Sequence, residues 1–161
     1  MYSSRWWYGD GMKEDHVLRR ARCFVLETLY ELENSEHDLE AVCERRLCEA
    51  ADSDVELTTP GTSGFAKGLL RGVWNSRIDS DARIQKAAPK HPVESIAAID
   101  RSVLRLAIWE LLADNSAPVG AVVNEAVELA RSYGSDSSPS FVNGVLRTIG
   151  AEISEQRNKV K

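Results

Sequence analysis

Apolar residues recur along this chain at intervals of three and four from about Asp15 onward. Nowhere do they alternate with the period of two that a half-buried strand requires. In the first segment, Asp15 to Asn34, residues Val17, Ala21, Val25, Leu29 and Leu32, joined by Phe24 and Thr28, fall on one side of a helix. A second helix is expected from His37 to about Ala51, carried by Leu39, Val42, Cys43 and Leu47. The stretch DSDVELTTPGTSG is turn-rich, and Thr62 or Ser63 then caps a third helix bearing Phe65, Leu69, Val73 and Trp74. A shorter helix from Ser80 to Ala88 ends at a break bracketed by Pro89 and Pro92.

Beyond that break the pattern becomes more apolar. The segment from Val93 to Leu112 is hydrophobic nearly all round, which places it in the middle of the protein. Ser116 and Pro118 open the next helix, whose stripe runs through Val119, Val122, Val123, Ala126, Val127, Ala130 and Tyr133 to a C-cap at Gly134. SDSSP opens the last helix, lined inside by Phe141, Val142, Val145, Leu146, Ile149 and Ile153. The expected fold class is all-α. One helical domain spans 13–155, divided into lobes 13–90 and 91–155, with a frayed polar tail over 156–161. Residues 1–12 form a flexible leader, because Trp6, Trp7 and Tyr8 follow no period and Gly9 and Gly11 break any helix. Met12 is the expected natural start.

A chain of 161 residues buries one core, here shared between two small helical lobes. A formal charge of −5 and a pI near 5.3 confine any nucleic-acid site to a local patch. No stretch approaches the roughly 20 apolar residues that span a bilayer, so a soluble, cytoplasmic protein without membrane contact is expected. Cys23, Cys43 and Cys48 contain no CxxC pair, and His16, His37 and His91 sit in no ligand pattern. Reduced thiols, no disulfide framework and no metal are expected. P-loop, GxGxxG, GxSxG and HExxH patterns are absent, so no catalytic residue and no cofactor is assigned.

The charge is unevenly placed. Between Met12 and Leu26 four cations, Lys13, Arg19, Arg20 and Arg22, face two carboxylates, Glu14 and Asp15. On a helical wheel Arg19, Cys23, Leu26 and Tyr30 follow one another down one side, with Arg22 beside them. Guanidinium forks with an aromatic ring suit single-stranded RNA: the forks hold phosphates and the ring accepts a base. An ordinary solvated face making ion pairs through Glu27 or Glu31 explains the cluster equally simply, and the residues alone favour it. Asp100, Arg101 and Arg105 interrupt the apolar helix and serve either a docking surface for a protein partner or an intramolecular salt bridge between lobes. Asn143-Gly144 reads chiefly as a close helix contact, since Gly in a helix interior costs about 1 kcal/mol against Ala. Glu125 and Glu128, spaced against Arg131 and Ser132, read as a solvated face.

Taken together, LRRARCFVLETLYELE, FAKGLLRGVW, IDRSVLRLAIWELL, VNEAVELARSYG and FVNGVLRTI resemble the NusB family of transcription antitermination factors. The resemblance covers nearly the whole chain in family order. It implies two antiparallel lobes of three to four helices packed together and no catalysis. It also implies binding of boxA-type single-stranded RNA in ribosomal RNA leader transcripts, with the ribosomal protein that acts as NusE and the transcription elongation complex as partners. Either a monomer or a homodimer fits. By position, it places RNA contact at Arg19, Arg20, Arg22 and Tyr30, and at Ser137, Ser138 and Phe141 around the loop before FVNGVL; Asp100 and Arg101 face the protein partner. Family members often carry an acidic residue and a lysine in that loop, whereas SDSSPS has Asp136 and no basic residue. Two alternatives accompany this reading. NusB-like domains also front some rRNA cytosine methyltransferases, but the sequence has no following glycine-rich cofactor domain. The other is a protein-binding helical scaffold without RNA binding.

Overall fold

The computed structural model describes the backbone of residues 12–160 and the side chains from His16 onward. The leader and Lys13 therefore lie outside the described side chains. Among the described residues there are eight α-helices and no strand, as the absence of period-two alternation requires. They are α1 (Met12–Glu33), α2 (Leu39–Ala50), α3 (Val55–Thr58), α4 (Pro60–Asn75), α5 (Arg77–Ala87), α6 (Ala98–Ala113), α7 (Val119–Tyr133) and α8 (Ser138–Lys159).

The chain divides into two compact units after Asn75. In the first unit α1 packs on α4, and α2 and α3 close the sides. Leu18, Ala21, Val25, Leu29 and Leu32 on α1 meet Ala66, Leu69, Leu70 and Val73 on α4 in a core at most a few per cent exposed. Asp38 caps α2 by accepting from the Ala41 amide at 3.0 Å, and Asp54 caps α3 by accepting from the Leu57 amide at 3.0 Å. The single-turn α3 has no counterpart among the expected helices, because only turn residues stand out there. Its four residues are too few to show a period.

The second unit runs from Ser76, so α5 belongs with the helices that follow it, although the sequence pattern groups residues up to 90 with the first lobe. Side-chain chemistry explains the grouping. Arg105 on α6 grips Asp81 on α5 through two bonds of 2.7 Å, and Lys86 on α5 pairs with Glu152 on α8 at 2.9 Å. α6 lies at the centre, in contact with α5, α7 and α8, and ten of its residues are buried. It starts later than expected. Val93–Ser95 form a 3-10 turn, and the helix begins only at Ala98.

The tail is helical to Lys159 rather than frayed from 156. Arg157 donates to the carbonyls of Ala117 (2.7 Å), Leu111 (2.7 Å) and Asp114 (2.9 Å), holding α8 against the open end of α6. The Leu111 carbonyl is among those the end of α6 leaves without an internal partner. Gly134 follows α7 as a C-cap, but its φ of −93° is not left-handed. Space is what it supplies: a Cβ there would lie 2.4 Å from Ser138 Oγ and 2.8 Å from the Ala130 carbonyl oxygen.

Candidate nucleic-acid and partner surfaces

α1 turns two faces to different surroundings. One is buried on α4; along the other lie His16, Arg19, Glu27 and Tyr30, all exposed. Arg19 and Tyr30 share this outer side three turns apart, about 16 Å along the axis at 1.5 Å per residue. Tyr30 is 48% exposed, unusual for a large ring among the described residues. Two members of the sequence-derived line do not belong to it. Leu26 is fully buried, and Arg22 is 5% exposed and engaged within the fold. The wheel could not separate them, because a turn of 100° per residue leaves Arg22 at the border of the two faces.

The remaining arginine of the cluster is held by acids. Arg20 donates to Asp54 Oδ2 from Nε (3.0 Å) and approaches it from Nη2 (2.7 Å), while Nη1 lies 3.4 Å from Glu56 Oε2. The α1 carboxylates are compensated in turn by α2. Arg46 reaches Glu27 at 2.7 Å and Glu31 at 3.5 Å, and Arg45 bonds Glu31 and Glu49. The hydrogen bond from Arg45, with Arg46 adding to it, holds the Glu31 carboxyl below its ordinary value. Glu49 and Glu31 together raise the Arg45 guanidinium above its own. Glu27 and Glu31 do make ion pairs, as the solvated-face reading expects, but with α2. A cleft of about 390 Å³ opens beside Arg20, floored by Phe24 and Leu57, with the Arg46 guanidinium 5.8 Å from the Phe24 ring centre.

The other assigned residues lie in the second unit. Ser137 is exposed in the short loop before α8. Ser138 is buried, 1% exposed, and its hydroxyl accepts from the Ser135 amide at 2.9 Å, so it ties the loop instead of facing a ligand. Phe141 is half-buried, its ring edge-on to His91 with centres 5.4 Å apart. His91 is exposed, and no sequence signal links it to Phe141, since the pairing joins positions far apart in the chain.

Asp100 and Arg101 have separate fates. Asp100 is 7% exposed and its Oδ1 is buried without a hydrogen-bond partner. Arg101 donates to the Val93 and Ile96 carbonyls at 3.1 Å each, bracing the turn that precedes α6. Arg105 makes an intramolecular salt bridge, but to Asp81 within its own unit and not between lobes. Glu128 pairs with Arg131 one turn on, the solvated face expected there.

Three thiols are free: Cys43 buried, Cys48 exposed, Cys23 between them. Burial pushes the Cys43 thiol up from its ordinary value, away from the reactive thiolate. Among the described residues no group of His, Cys, Asp and Glu could hold a metal ion, and no helix is long and apolar enough to cross a membrane.

Comparison with known proteins gives the family. The NusB family profile matches residues 19–151. The transcription antitermination protein NusB of Chloroflexus aggregans is 41% identical over 132 residues, 81% of this chain and 84% of that protein. A solved NusB structure from T. maritima has a TM-score of 0.75 at 30% identity, covering 88% of this chain and 96% of that one. A NusB solved in complex with NusE and double-stranded RNA has a TM-score of 0.74 at 22% identity, covering 85% and 98% respectively. The chain belongs to the NusB family of transcription antitermination proteins and is not an enzyme.

Proposed function

We propose that this protein binds boxA-type RNA of ribosomal RNA leader transcripts together with the ribosomal protein acting as NusE, and acts in the cytoplasm as part of the transcription elongation complex, keeping RNA polymerase elongating through terminators. The observation that carries this reading is the family match across 19–151, joined to a helix face that presents Arg19 and Arg20 with an exposed Tyr30. The arginines would hold phosphates while the ring stacks a base. Ser137 and Phe141 are a second contact carried over from the family pattern. Arg22 and Ser138 are left out, because burial keeps both from an RNA strand. Asp100, with its unsatisfied buried oxygen, is the better supported of the two residues assigned to the protein partner.

The test is fluorescence anisotropy with a labelled single-stranded boxA-like RNA, with and without the NusE-type ribosomal protein. The partner should tighten RNA binding. The combined Arg19→Ala, Arg20→Ala and Tyr30→Ala variant should lose more than tenfold in affinity, since one stacked base is worth roughly 1–3 kcal/mol. Its log–log salt slope should also flatten, by about 0.7 for each phosphate that is no longer neutralised. Unchanged affinity and slope would move the site off α1. The scaffold reading draws on one observation, the double carboxylate grip on Arg20. Partner binding with no RNA binding under any condition would favour it.

A further inference from the structure

We infer that Asp54 and Glu56, in the first turn of α3 and just before it, attenuate RNA binding by acting as competing anions for Arg20; this rests on the RNA reading of the α1 face. Two N–H groups of the Arg20 guanidinium donate to these carboxylates, Nε to Asp54 and Nη1 to Glu56, and Nη2 lies 2.7 Å from Asp54 Oδ2. The triad is one cation against two anions and carries net negative charge. A phosphate arriving at Arg20 must displace at least one carboxylate and then sit close to both. The planar guanidinium fork takes two oxygens of a carboxylate or of a phosphate, so the two compete for it.

The two acids differ in how they compete. Asp54 is the inner one: its side chain is 19% exposed, it contacts Arg20 at 2.7 Å, and its other oxygen caps α3. Glu56 is 60% exposed and stands off at 3.4 Å, so it is the carboxylate that a phosphate displaces first. The same compensation runs down the face, where Arg45 and Arg46 are committed to Glu27, Glu31 and Glu49. RNA therefore binds here by exchanging existing ion pairs, and the acids on α3 determine what Arg20 contributes to that exchange.

The substitution Asp54→Asn with Glu56→Gln removes both charges while Asn still caps the helix. RNA affinity should rise roughly three- to tenfold, from two surface pairs of ordinary strength. The log–log salt slope should steepen by about 0.7, as Arg20 becomes free to neutralise one phosphate in full. In chains that also carry Arg20→Ala, the gain should fall below twofold. Thermal melting of each variant reports that the fold is kept, and Glu56→Gln alone, which touches no cap, should give part of the gain. Wild-type binding that neither neutralised chain improves overturns the inference and leaves the RNA reading standing. A full gain in the Arg20→Ala background overturns it as well, because the acids would then act by bulk repulsion. Absence of RNA binding in wild type and in every variant overturns both.

Discussion

Arginine serves opposite purposes in the two units. In the first, Arg20, Arg45 and Arg46 lie at the surface in pairs that water and salt can reach, and each can trade one anion for another. In the second, Arg105 is 8% exposed and locked on Asp81, while Arg157 fills the open end of α6. Exposed pairs are worth about 0–1 kcal/mol because solvation rivals them. A pair withdrawn from water is costly to break, because the survivor stays charged in a poor solvent. It follows that the apolar stretch around α6 is largely scaffold, while the cations that solvent reaches sit on α1 and α2.

The contrast is exposed to its severest test at Asp81. Asp81→Ala leaves Arg105 without its bidentate partner and should destabilise the protein by about 2–4 kcal/mol in urea denaturation, somewhat under the range for fully buried pairs because Asp81 keeps some solvent. Arg20→Ala should cost no more than about 1 kcal/mol in the same assay. Equal costs would erase the contrast between the units. Arg157→Ala comes next, at roughly 1.5–3 kcal/mol for charge-assisted bonds to three carbonyls; a change near zero would mean the tail is frayed after all.

Two glycines of α8 probe the second unit on a finer scale. A Cβ at Gly150 would lie 2.6 Å from Val119 Cγ1, whereas one at Gly144 meets nothing within 4 Å. Gly150→Ala should therefore destabilise by about 1–3 kcal/mol through overpacking. Gly144→Ala should stabilise by up to about 1 kcal/mol through helix propensity, both read from melting curves.

The smallest effect belongs to pH. Glu31 has its folded-state pKa depressed by Arg45 and Arg46, so its contribution to stability is present above the ordinary carboxylate value of 4.5 and is lost as pH falls through the lower folded value. Glu40, hydrogen-bonded by Arg71 at 2.6 and 2.7 Å, follows the same sign. Denaturation midpoints at pH 6 and 7 should agree, with a decline below about pH 4.5 that high salt blunts. A Glu31→Gln chain with an unchanged acid limb would show that this carboxylate has no part in it.

Helix existence and the buried faces of α1, α6, α7 and α8 are legible from spacing, because an amphipathic period repeats over many residues and survives local exceptions. Boundaries are less so. α5 starts at Arg77 rather than Ser80, α4 at Pro60 rather than after Thr62, and α6 at Ala98 rather than Val93. Of the site, Arg19 and Tyr30 lie on the expected outer side of α1, and Arg20 is half-buried against Asp54 and Glu56. Arg22 turns in, by an angle that a wheel cannot resolve. Spacing points to Gly144 as the close helix approach, yet Gly144 is open, while Gly150, six residues on and without any sequence signal, makes it. A glycine in a helix tells of a tolerance; which neighbour needs it depends on the helix packed alongside.

An all-helical chain with a central apolar α6 and a basic start to α1 follows from residue spacing and composition, since burial of apolar area responds to periodicity alone. Partner choice among the charges does not follow from it. Asp54 lies 34 positions from Arg20, Asp81 24 from Arg105, and Leu111 46 from Arg157. Ion pairs and caps act over a few ångströms, so they are settled by which elements fold together. In this protein that folding leaves Arg20 open to exchange and closes Arg105 and Arg157 into the framework.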